Sequence, residues 1–254
     1  KLVGFFIGFA TFFLIGFAIW ASQYYIMTGG TMADSIRDWW AGGVLANSLA
    51  QNVDPAVFAG INTYQIFIFF IAVFAGITNV LLHFSVAERM KASAFYVTCF
   101  VTTIMFAFVA YWTWGSVGPL TNRGFHDFFG VGFVYLLPAG MALVFVPMLG
   151  PRPGMFSAHP KVSEYRSVSL GLTVAGVFVV FASLPMVIMA CLFFFDPGAY
   201  AVSVTMADTS VGITFNNYGA AWAGGALSGA FIAYKKRRLD YFTMGPFAGY
   251  VSGA

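Results

Sequence analysis

Long apolar segments dominate the chain, and polar residues collect in the short stretches between them. A helix needs about 20 apolar residues to cross the hydrocarbon core of a bilayer. Six segments meet this length: Leu2–Ser22, Val57–Leu82, Ala92–Trp114, Phe128–Leu149, Val168–Phe195 and Val211–Tyr234. Each should be a helix, because lipid offers no hydrogen-bond partners to an exposed backbone. The pattern therefore predicts an all-α polytopic transmembrane bundle with six full spans.

The two ends of the chain suggest that it is part of a longer protein. It begins at Lys1, without a methionine, and runs directly into the first span. It ends with the apolar stretch Tyr241–Ala254, which is too short to cross a bilayer upright and predicts a partial seventh span. We expect one transmembrane domain over residues 1–254. Its loops are an outer loop at 27–56, a cytoplasmic loop at 150–167 and a basic cytoplasmic loop at 235–240.

Composition and charge placement support this topology and orient it. The chain is 60% hydrophobic and only 8% charged, whereas soluble domains carry about 25% charged residues. Six spans place only two basic residues on one side, Arg37 and Arg123. The other side holds ten: Lys1, Arg89, Lys91, Arg152, Lys161, Arg166, Lys235, Lys236, Arg237 and Arg238. The positive-inside rule makes this basic side cytoplasmic, together with the N-terminus of the segment, in a plasma or inner membrane.

The net charge of +3 thus reflects the basic residues of the cytoplasmic loops and does not indicate nucleic-acid binding. The basic run after the sixth span is typical of a stop-transfer anchor. The outer loop is rich in Gly, Asn and Asp and contains Trp39 and Trp40, so it predicts an interfacial hairpin or a partner surface. Gly225 and Gly229 form a small-xxx-small pair in the sixth span, which permits close helix contact.

The sequence does not favour an enzyme. Its three histidines share no helix face with a carboxylate or thiol at metal-ligand spacing, and both cysteines fall inside spans as small apolar residues. We therefore predict no catalytic residue, metal or cofactor. Polar residues within or beside the spans are the better functional markers; these are Asn79, Asp127, Asn216 and Asn217.

Asp127 and the nearby tryptophans allow two interpretations. Asp127 begins the fourth span, where its side chain can cap the helix by accepting free amide hydrogens of the first turn. Trp112 and Trp114 end the third span, where tryptophan commonly anchors at the membrane interface. Alternatively, an exposed tryptophan face beside an outer carboxylate could attract a small cation.

Several short motifs follow one another in a distinctive order. They are Ala87–Ala94 (AERMKASA), Trp114-Gly115, Gly124–Phe128 (GFHDF), Phe215–Asn217 (FNN), and Lys236 through Gly245–Gly249 (GPFAG). A longer signature begins with Asp-Phe-Ala-Gly and ends with Gly-x-Arg. Both of its ends have counterparts here, at Asp127-Phe128-Phe129-Gly130 and at Gly150-Pro151-Arg152. In order and spacing these motifs resemble the Amt/Mep/Rh ammonium transporter family, whose second to eighth of eleven helices the chain would cover.

The resemblance implies a fold and a site. Family members have two inverted five-helix halves with a pore between them, and they assemble as trimers. Trp114 would then help recruit ammonium at the outer mouth, with Asp127 supporting that site from behind. Phe70 and Phe74 would form an aromatic gate over the pore, although ordinary packing or lipid contact also explains them. Asn216 and Asn217, on the seventh helix, would support the site residues from behind or make helix contacts.

Tyr135 departs from the family pattern. The family's first pore histidine lies eight residues after the signature aspartate, and Tyr135 occupies that position as the mid-pore residue, roughly 12 Å inside a helix that starts at Asp127. A phenol with a pKa near 10 passes protons poorly at neutral pH, whereas imidazole passes them well. Positions that are compact in the family are also enlarged here: Phe129, Phe133, Pro138 and Phe145.

Two functions stay open at this point. The first is passage of ammonium or ammonia through a helix-bundle pore, against which the Tyr135 replacement argues. The alternative is a non-conducting, structural or sensory subunit of a larger membrane protein complex. The expected partners are ammonium or ammonia and the lipid bilayer, with assembly as a homotrimer or within a membrane complex.

Overall fold

The structure is a computed structural model, and it describes residues 1–42, 61–115, 117–125, 127–152, 154, 156, 169–196, 201–204 and 211–253. It is built mainly of helices: α1 (Leu2–Met27), α2 (Met32–Trp40), α3 (Ile61–Val86), α4 (Ala92–Trp114), α5 (Gly132–Leu149), α6 (Leu170–Ala190), α7 (Val211–Lys236) and α8 (Asp240–Gly253). A short hairpin, β1 (Phe193–Asp196) and β2 (Ala201–Val204), lies between α6 and α7.

The predicted helical membrane bundle is confirmed. Helices α1, α3, α4, α5 and α6 are each long and apolar enough to cross a membrane. The sixth predicted span also forms one helix, the 26-residue α7, which is less apolar than these five, so the count of six spans stays a prediction. The partial seventh span forms the 14-residue α8.

The end of the fifth predicted span was wrong. Helix α6 ends at Ala190, and Phe193–Asp196 pairs antiparallel with Ala201–Val204 instead of extending the helix. Hydropathy alone cannot separate these outcomes, because phenylalanine suits an apolar helix and is also enriched in strands. The hairpin adds a small β element to the predicted all-α class.

Helix α2 covers part of the predicted outer loop and packs on α1. The Thr31 side chain accepts a hydrogen bond from the Asp34 amide, and the Asp34 carboxylate accepts one from the Thr31 amide, so the pair caps the helix reciprocally. The Trp39 indole donates to the Leu14 carbonyl at 3.1 Å, and its ring lies 5.0 Å from Phe17. Trp39 is therefore a packing residue, while residues 43–56 of the loop lie outside the described residues.

The chain divides into two compact units, Lys1–Pro153 with Phe193–Val204 and Gly154–Leu192 with Thr205–Ala254, which we call unit 1 and unit 2. Aromatic side chains dominate the core of unit 1, among them Phe12, Phe17, Trp20, Phe106 and Phe133, all fully buried. Unit 2 is organised around the close contact of α7 with α8. The predicted single transmembrane domain stays a prediction.

The close contact in unit 2 depends on glycine. A Cβ atom added to Gly225 would lie 2.7 Å from the Cα of Gly249, and one added to Gly229 would lie 2.9 Å from the Cα of Gly245. No side chain fits at such separations, so the two backbones touch directly. This confirms that the Gly225–Gly229 pair permits close helix packing, and it identifies Gly245 and Gly249 on α8 as the matching pair.

Candidate aromatic and carboxylate site

Asp127 organises the start of α5. Its Oδ1 accepts the amide hydrogen of Val131 at 2.7 Å, and its Oδ2 accepts that of Gly132 at 2.9 Å. The first turn of a helix has free amide hydrogens that need such partners. The capping interpretation of Asp127 is therefore confirmed, with the side chain reaching forward from outside the helix.

The Asp127 carboxylate is also held against the end of α4. The side chain is buried, and a Cβ at Gly132 would lie 3.0 Å from Asp127 Oδ2 and 3.4 Å from Thr113 Cγ2, so the three residues crowd together. Burial raises the pKa of the Asp127 carboxyl, while the amide hydrogens of Gly132 and Val131 and the Thr113 hydroxyl act in the opposite direction. Asp127 thus connects the start of α5 to the residue that precedes Trp114.

Trp114 lies at the end of α4 and is partly exposed. Its ring centroid is 5.4 Å from that of Phe133 and 6.0 Å from that of Phe67. Trp112, two residues earlier on the same helix, is 46% exposed and lies on a different helical face. The structure therefore packs one of the two predicted tryptophans into the aromatic core of unit 1 and leaves the other at the surface.

The rings of the two predicted aromatic gate residues are in contact, tilted by 50° to each other. The ring centroids of Phe70 and Phe74 lie 4.4 Å apart on successive turns of α3. Phe74 is buried, and its ring lies 6.5 Å from that of Phe133. Phe133 thus connects the gate pair to Trp114.

Phe133 is a functional candidate that the sequence marked only as one of four enlarged positions. It is fully buried, and its ring also meets Phe106 edge to face at 5.0 Å. A single side chain from α5 therefore contacts aromatic residues from both α3 and α4. The available signal was its enlarged size relative to the family pattern, but which neighbours it touches depends on tertiary structure.

Tyr135 lies in a π-helical turn, Gly132–Leu136, and its side chain is half-buried. Helix α5 begins at Gly132 and not at Asp127, from which the 12 Å was counted, so Tyr135 lies only roughly 5 Å into the helix. The π-turn also inserts an extra residue, which changes the direction of later side chains relative to an unbroken α-helix. The mid-pore position of Tyr135 stays a prediction.

Asn216 and Asn217 belong to α7 in unit 2, where both side chains are exposed. Their neighbour Tyr218 is buried and packs edge to face on Tyr250 of α8, with ring centroids 5.2 Å apart. That the two asparagines support the site residues from behind or make helix contacts stays a prediction.

A buried polar pair joins α3 to α4. The Asn79 amide donates to the Thr103 hydroxyl at 3.0 Å, and that hydroxyl donates to the Cys99 carbonyl at 2.8 Å. The Asn79 side chain also lies against Gly8 of α1. A Cβ added at Gly8 would collide with the Asn79 amide nitrogen and would lie 2.9 Å from the Ala75 carbonyl oxygen. Asn79, noted in the sequence as a rare polar residue within a span, is thus satisfied at its amide nitrogen by a neighbouring helix.

Two of the motifs that carried the family resemblance are in contact. The Arg89 guanidinium donates to the Gly150 carbonyl at 2.6 Å and also to the Ser85 carbonyl. Arg152 lies 3.6 Å from the Glu88 carboxylate, measured from Nε to Oε2. The segment around Ala87–Ala94 is therefore joined to the Gly-x-Arg end of the signature. Among the described residues, no group of three or more His, Cys, Asp or Glu side chains could hold a metal ion.

Five membrane-length helices, with α5 capped by Asp127 and an aromatic cluster between α3, α4 and α5, define a polytopic helical membrane protein. The family model described as Ammonium Transporter Family matches residues 1–253. The chain belongs to the ammonium transporter family.

Curated relatives agree with this assignment. The chain is 27% identical over 190 residues to ammonium transporter Amt2 of Archaeoglobus fulgidus, an alignment covering 70% of this chain and 36% of that protein. It is 31% identical over 153 residues to ammonium transporter 1 member 3 of Oryza sativa subsp. japonica, covering 54% of this chain and 28% of that protein. The chain thus spans about a third of the length of these relatives. No solved structure gives a significant match.

Proposed function

We propose that this chain is part of an ammonium transporter that recruits ammonium at Trp114 and passes it, as ammonium or ammonia, through a helix-bundle pore. Family membership supports the substrate class. The observation that carries the proposal is the crowding of Asp127 and Thr113 around Gly132, since Thr113 is the residue next to Trp114. It gives Asp127 a positioning role: the carboxylate fixes the start of α5 beside the tryptophan without having to touch the cation.

The proposed recruitment uses the face of the indole ring. An ammonium ion over a tryptophan face gains roughly 0.5–2 kcal/mol from the ring quadrupole. Partial exposure of Trp114 leaves room for such a contact, and packing on Phe133 and Phe67 fixes the ring orientation. The proposal includes the orientation given by the charge pattern, with the basic loops cytoplasmic, and assembly of the whole protein as a homotrimer or within a membrane complex.

Methylammonium uptake by liposomes that contain the full-length protein tests this function. Trp114→Ala should weaken the apparent affinity for methylammonium about 2- to 30-fold, the factor that corresponds to the cation–π contribution. Trp112→Ala is the matched control, since it removes an exposed tryptophan from the same helix end. Equal effects of the two substitutions would contradict a specific role for Trp114.

A second candidate function is a non-conducting subunit of a larger membrane complex. Phe133 favours this candidate. Its fully buried ring contacts Phe74, Phe106 and Trp114, whereas the family pattern has a compact residue at the position of Phe133. Tyr135 favours it as well, since a phenol replaces a proton-carrying imidazole. Uptake no greater than that of protein-free liposomes, together with purification in a stoichiometric complex with other subunits, would establish this candidate over the first.

A further inference from the structure

Helix α2 is fastened to α1 by two buried side chains that lie one turn apart. The Ser35 hydroxyl donates to the Ala18 carbonyl at 2.7 Å, and the Trp39 indole donates to the Leu14 carbonyl at 3.1 Å. Ser35 and Trp39 are each only 2% exposed, whereas the neighbouring Trp40 is 52% exposed. Trp39 is therefore the tryptophan of α2 that reaches the interior of unit 1.

Trp39 meets an irregular part of α1. Leu14, which accepts the indole hydrogen bond, lies in a π-helical turn, Phe12–Gly16. Such turns occur mostly singly within α-helices and are frequent at functional sites. The Phe12 ring extends from this turn into the core, where it is fully buried and meets the Phe106 ring edge to face at 5.4 Å. Trp39 thus bonds to the backbone of the turn that positions Phe12.

A continuous line of rings leads from Trp39 to Trp114. The Trp39 ring centroid lies 5.0 Å from that of Phe17, and Phe17 lies 5.6 Å from Trp20. Trp20 lies 5.1 Å from Phe67, which lies 6.0 Å from Trp114. Aromatic rings attract each other at centroid separations of about 4.5–7 Å. Three rings from α1 and α3 therefore connect the two tryptophans.

A second line of rings starts at the same phenylalanine. Phe17 meets Phe12 edge to face at 6.2 Å, and Phe12 meets Phe106. Phe106 lies 5.0 Å from Phe133, whose ring lies 5.4 Å from that of Trp114. The four phenylalanines of this line are all fully buried. Closely packed interiors have little free volume to absorb a displacement, so a shift at one end of either line reaches the other end.

We propose that Trp39 is a positioning residue for ammonium recruitment at Trp114. Trp39 fixes the Phe17 ring by contact and the π-turn of α1 by its hydrogen bond to Leu14, and the two lines of rings then fix the orientation of the Trp114 indole. A cation is attracted only over the face of a ring, so the orientation of the indole decides how strongly the ion binds. The effect on ammonium rests on the proposed function of Trp114, whereas the coupling between the two tryptophans can be measured without it.

Methylammonium uptake by liposomes that contain the full-length protein measures the effect on recruitment. Trp39→Leu should weaken the apparent affinity about 2- to 30-fold, the range in which packed side chains influence a distant site, and should leave the maximal rate unchanged. Trp39→Phe keeps a ring against Phe17 and should recover part of the affinity. In a Trp114→Ala background, Trp39→Leu should weaken the affinity no further, and full additivity of the two substitutions would overturn the proposal.

Two other substitutions in α2 separate positioning by Trp39 from general docking of the helix. Ser35→Ala removes the other hydrogen bond between α2 and α1 but no ring, and Trp40→Leu removes the exposed tryptophan. Neither should change the apparent affinity. A loss with Ser35→Ala as large as that with Trp39→Leu would mean that docking of α2 matters and that Trp39 has no role of its own.

Fluorine NMR tests the coupling independently of transport. In full-length protein labelled with fluorotryptophan, the Trp114 resonance is identified by its loss in Trp114→Phe. Trp39→Leu should shift this resonance, because the magnetic environment of an indole depends on the rings around it, whereas Ser35→Ala and Trp40→Leu should leave it in place.

The two measurements together distinguish the possible failures. An unshifted Trp114 resonance in Trp39→Leu would overturn the proposal, as would a shift without loss of affinity where Trp114→Ala does weaken the affinity. If the resonance shifts but neither Trp39→Leu nor Trp114→Ala changes the affinity, recruitment at Trp114 is refuted and the positioning of its ring by Trp39 stands.

Discussion

The cluster around Phe133 in unit 1 and the α7–α8 contact in unit 2 are packed in opposite ways. In unit 1, helices are separated by large rings, with Phe133 in contact with Phe74, Phe106 and Trp114. In unit 2, α7 and α8 meet at glycines whose backbones touch. Ring packing contributes through buried area and many dispersion contacts, whereas glycine packing contributes through backbone proximity. The first arrangement should tolerate small changes of shape, and the second should tolerate almost none.

The largest effect should come from adding volume between α7 and α8. Gly225→Leu would place side-chain atoms where the Gly249 backbone lies, and a main chain cannot move aside as a side chain can. We expect a loss beyond the roughly 1–3 kcal/mol that overpacked cores usually show, and therefore no monodisperse protein on size-exclusion chromatography in detergent.

Gly224→Leu is the matched control for that substitution. An added Cβ at Gly224 meets nothing within 4 Å, so only the helix itself is affected. Because leucine favours helix formation over glycine by somewhat less than 1 kcal/mol, this variant should purify normally. If Gly225→Leu also purified normally, the tight backbone contact in unit 2 would be refuted.

The next largest effect should come from removing volume in unit 1. Phe133→Ala leaves a cavity among three aromatic rings, and such truncations cost about 3–5 kcal/mol. Thermal unfolding in detergent would measure the loss. Phe100→Ala is the control, because Phe100 is 46% exposed on α4 and its truncation should cost far less.

Phe133→Ala also tests whether the Phe133 ring limits the passage of methylammonium. If the Phe133 ring limits passage, Phe133→Ala should raise methylammonium uptake in liposomes in spite of the lower stability. If the ring only packs the core, uptake should stay the same or fall. An increase in uptake with Phe100→Ala as well would show that the assay reports leakage and not a pore.

A smaller effect is expected at the Asp127 cap, which holds α5 in the position that lets Phe133 enter the core. Asp127→Ala leaves the amide hydrogens of Val131 and Gly132 without their acceptors, and loss of a helix cap costs about 0.5–2 kcal/mol. Asp127→Asn keeps one acceptor oxygen and should lose less. Thermal unfolding of both variants checks this order, and a more stable alanine variant would contradict the capping role.

What the sequence predicted well is what the bilayer itself imposes. Span length and apolarity identified five membrane-length helices, since the thickness of the hydrocarbon core fixes both. Gly225 and Gly229 predicted a close helix contact, because only the absence of a side chain permits one. The capping interpretation of Asp127, one of two that the sequence allowed, came from its place before an apolar run.

Other features depend on geometry that the order of residues does not contain. The start of α5 was misplaced because Gly130, with φ of 71°, has a non-helical backbone that ends the segment before the helix, and hydropathy does not record it. The hairpin strand at Phe193–Asp196 was assigned to a helix because aromatic residues suit both states. Phe133 was noticed for its size, but its three ring contacts arise only when α3, α4 and α5 pack.

The smallest effect should come from the polar contact between Asn79 and Thr103, where unit 1 departs from its aromatic pattern. Thr103→Val keeps the shape but removes the hydroxyl that accepts from the Asn79 amide, and interhelical hydrogen bonds in membranes contribute about 0.6 kcal/mol on average. Thr98→Val is the control, because the Thr98 hydroxyl donates within its own helix, to the Ala94 carbonyl. Thermal unfolding of Thr103→Val, Asn79→Ala and the double variant gives the coupling energy between the two side chains. A coupling near zero would mean that Asn79 is held by its tight fit against Gly8, a close glycine contact like those in unit 2, and not by the hydroxyl.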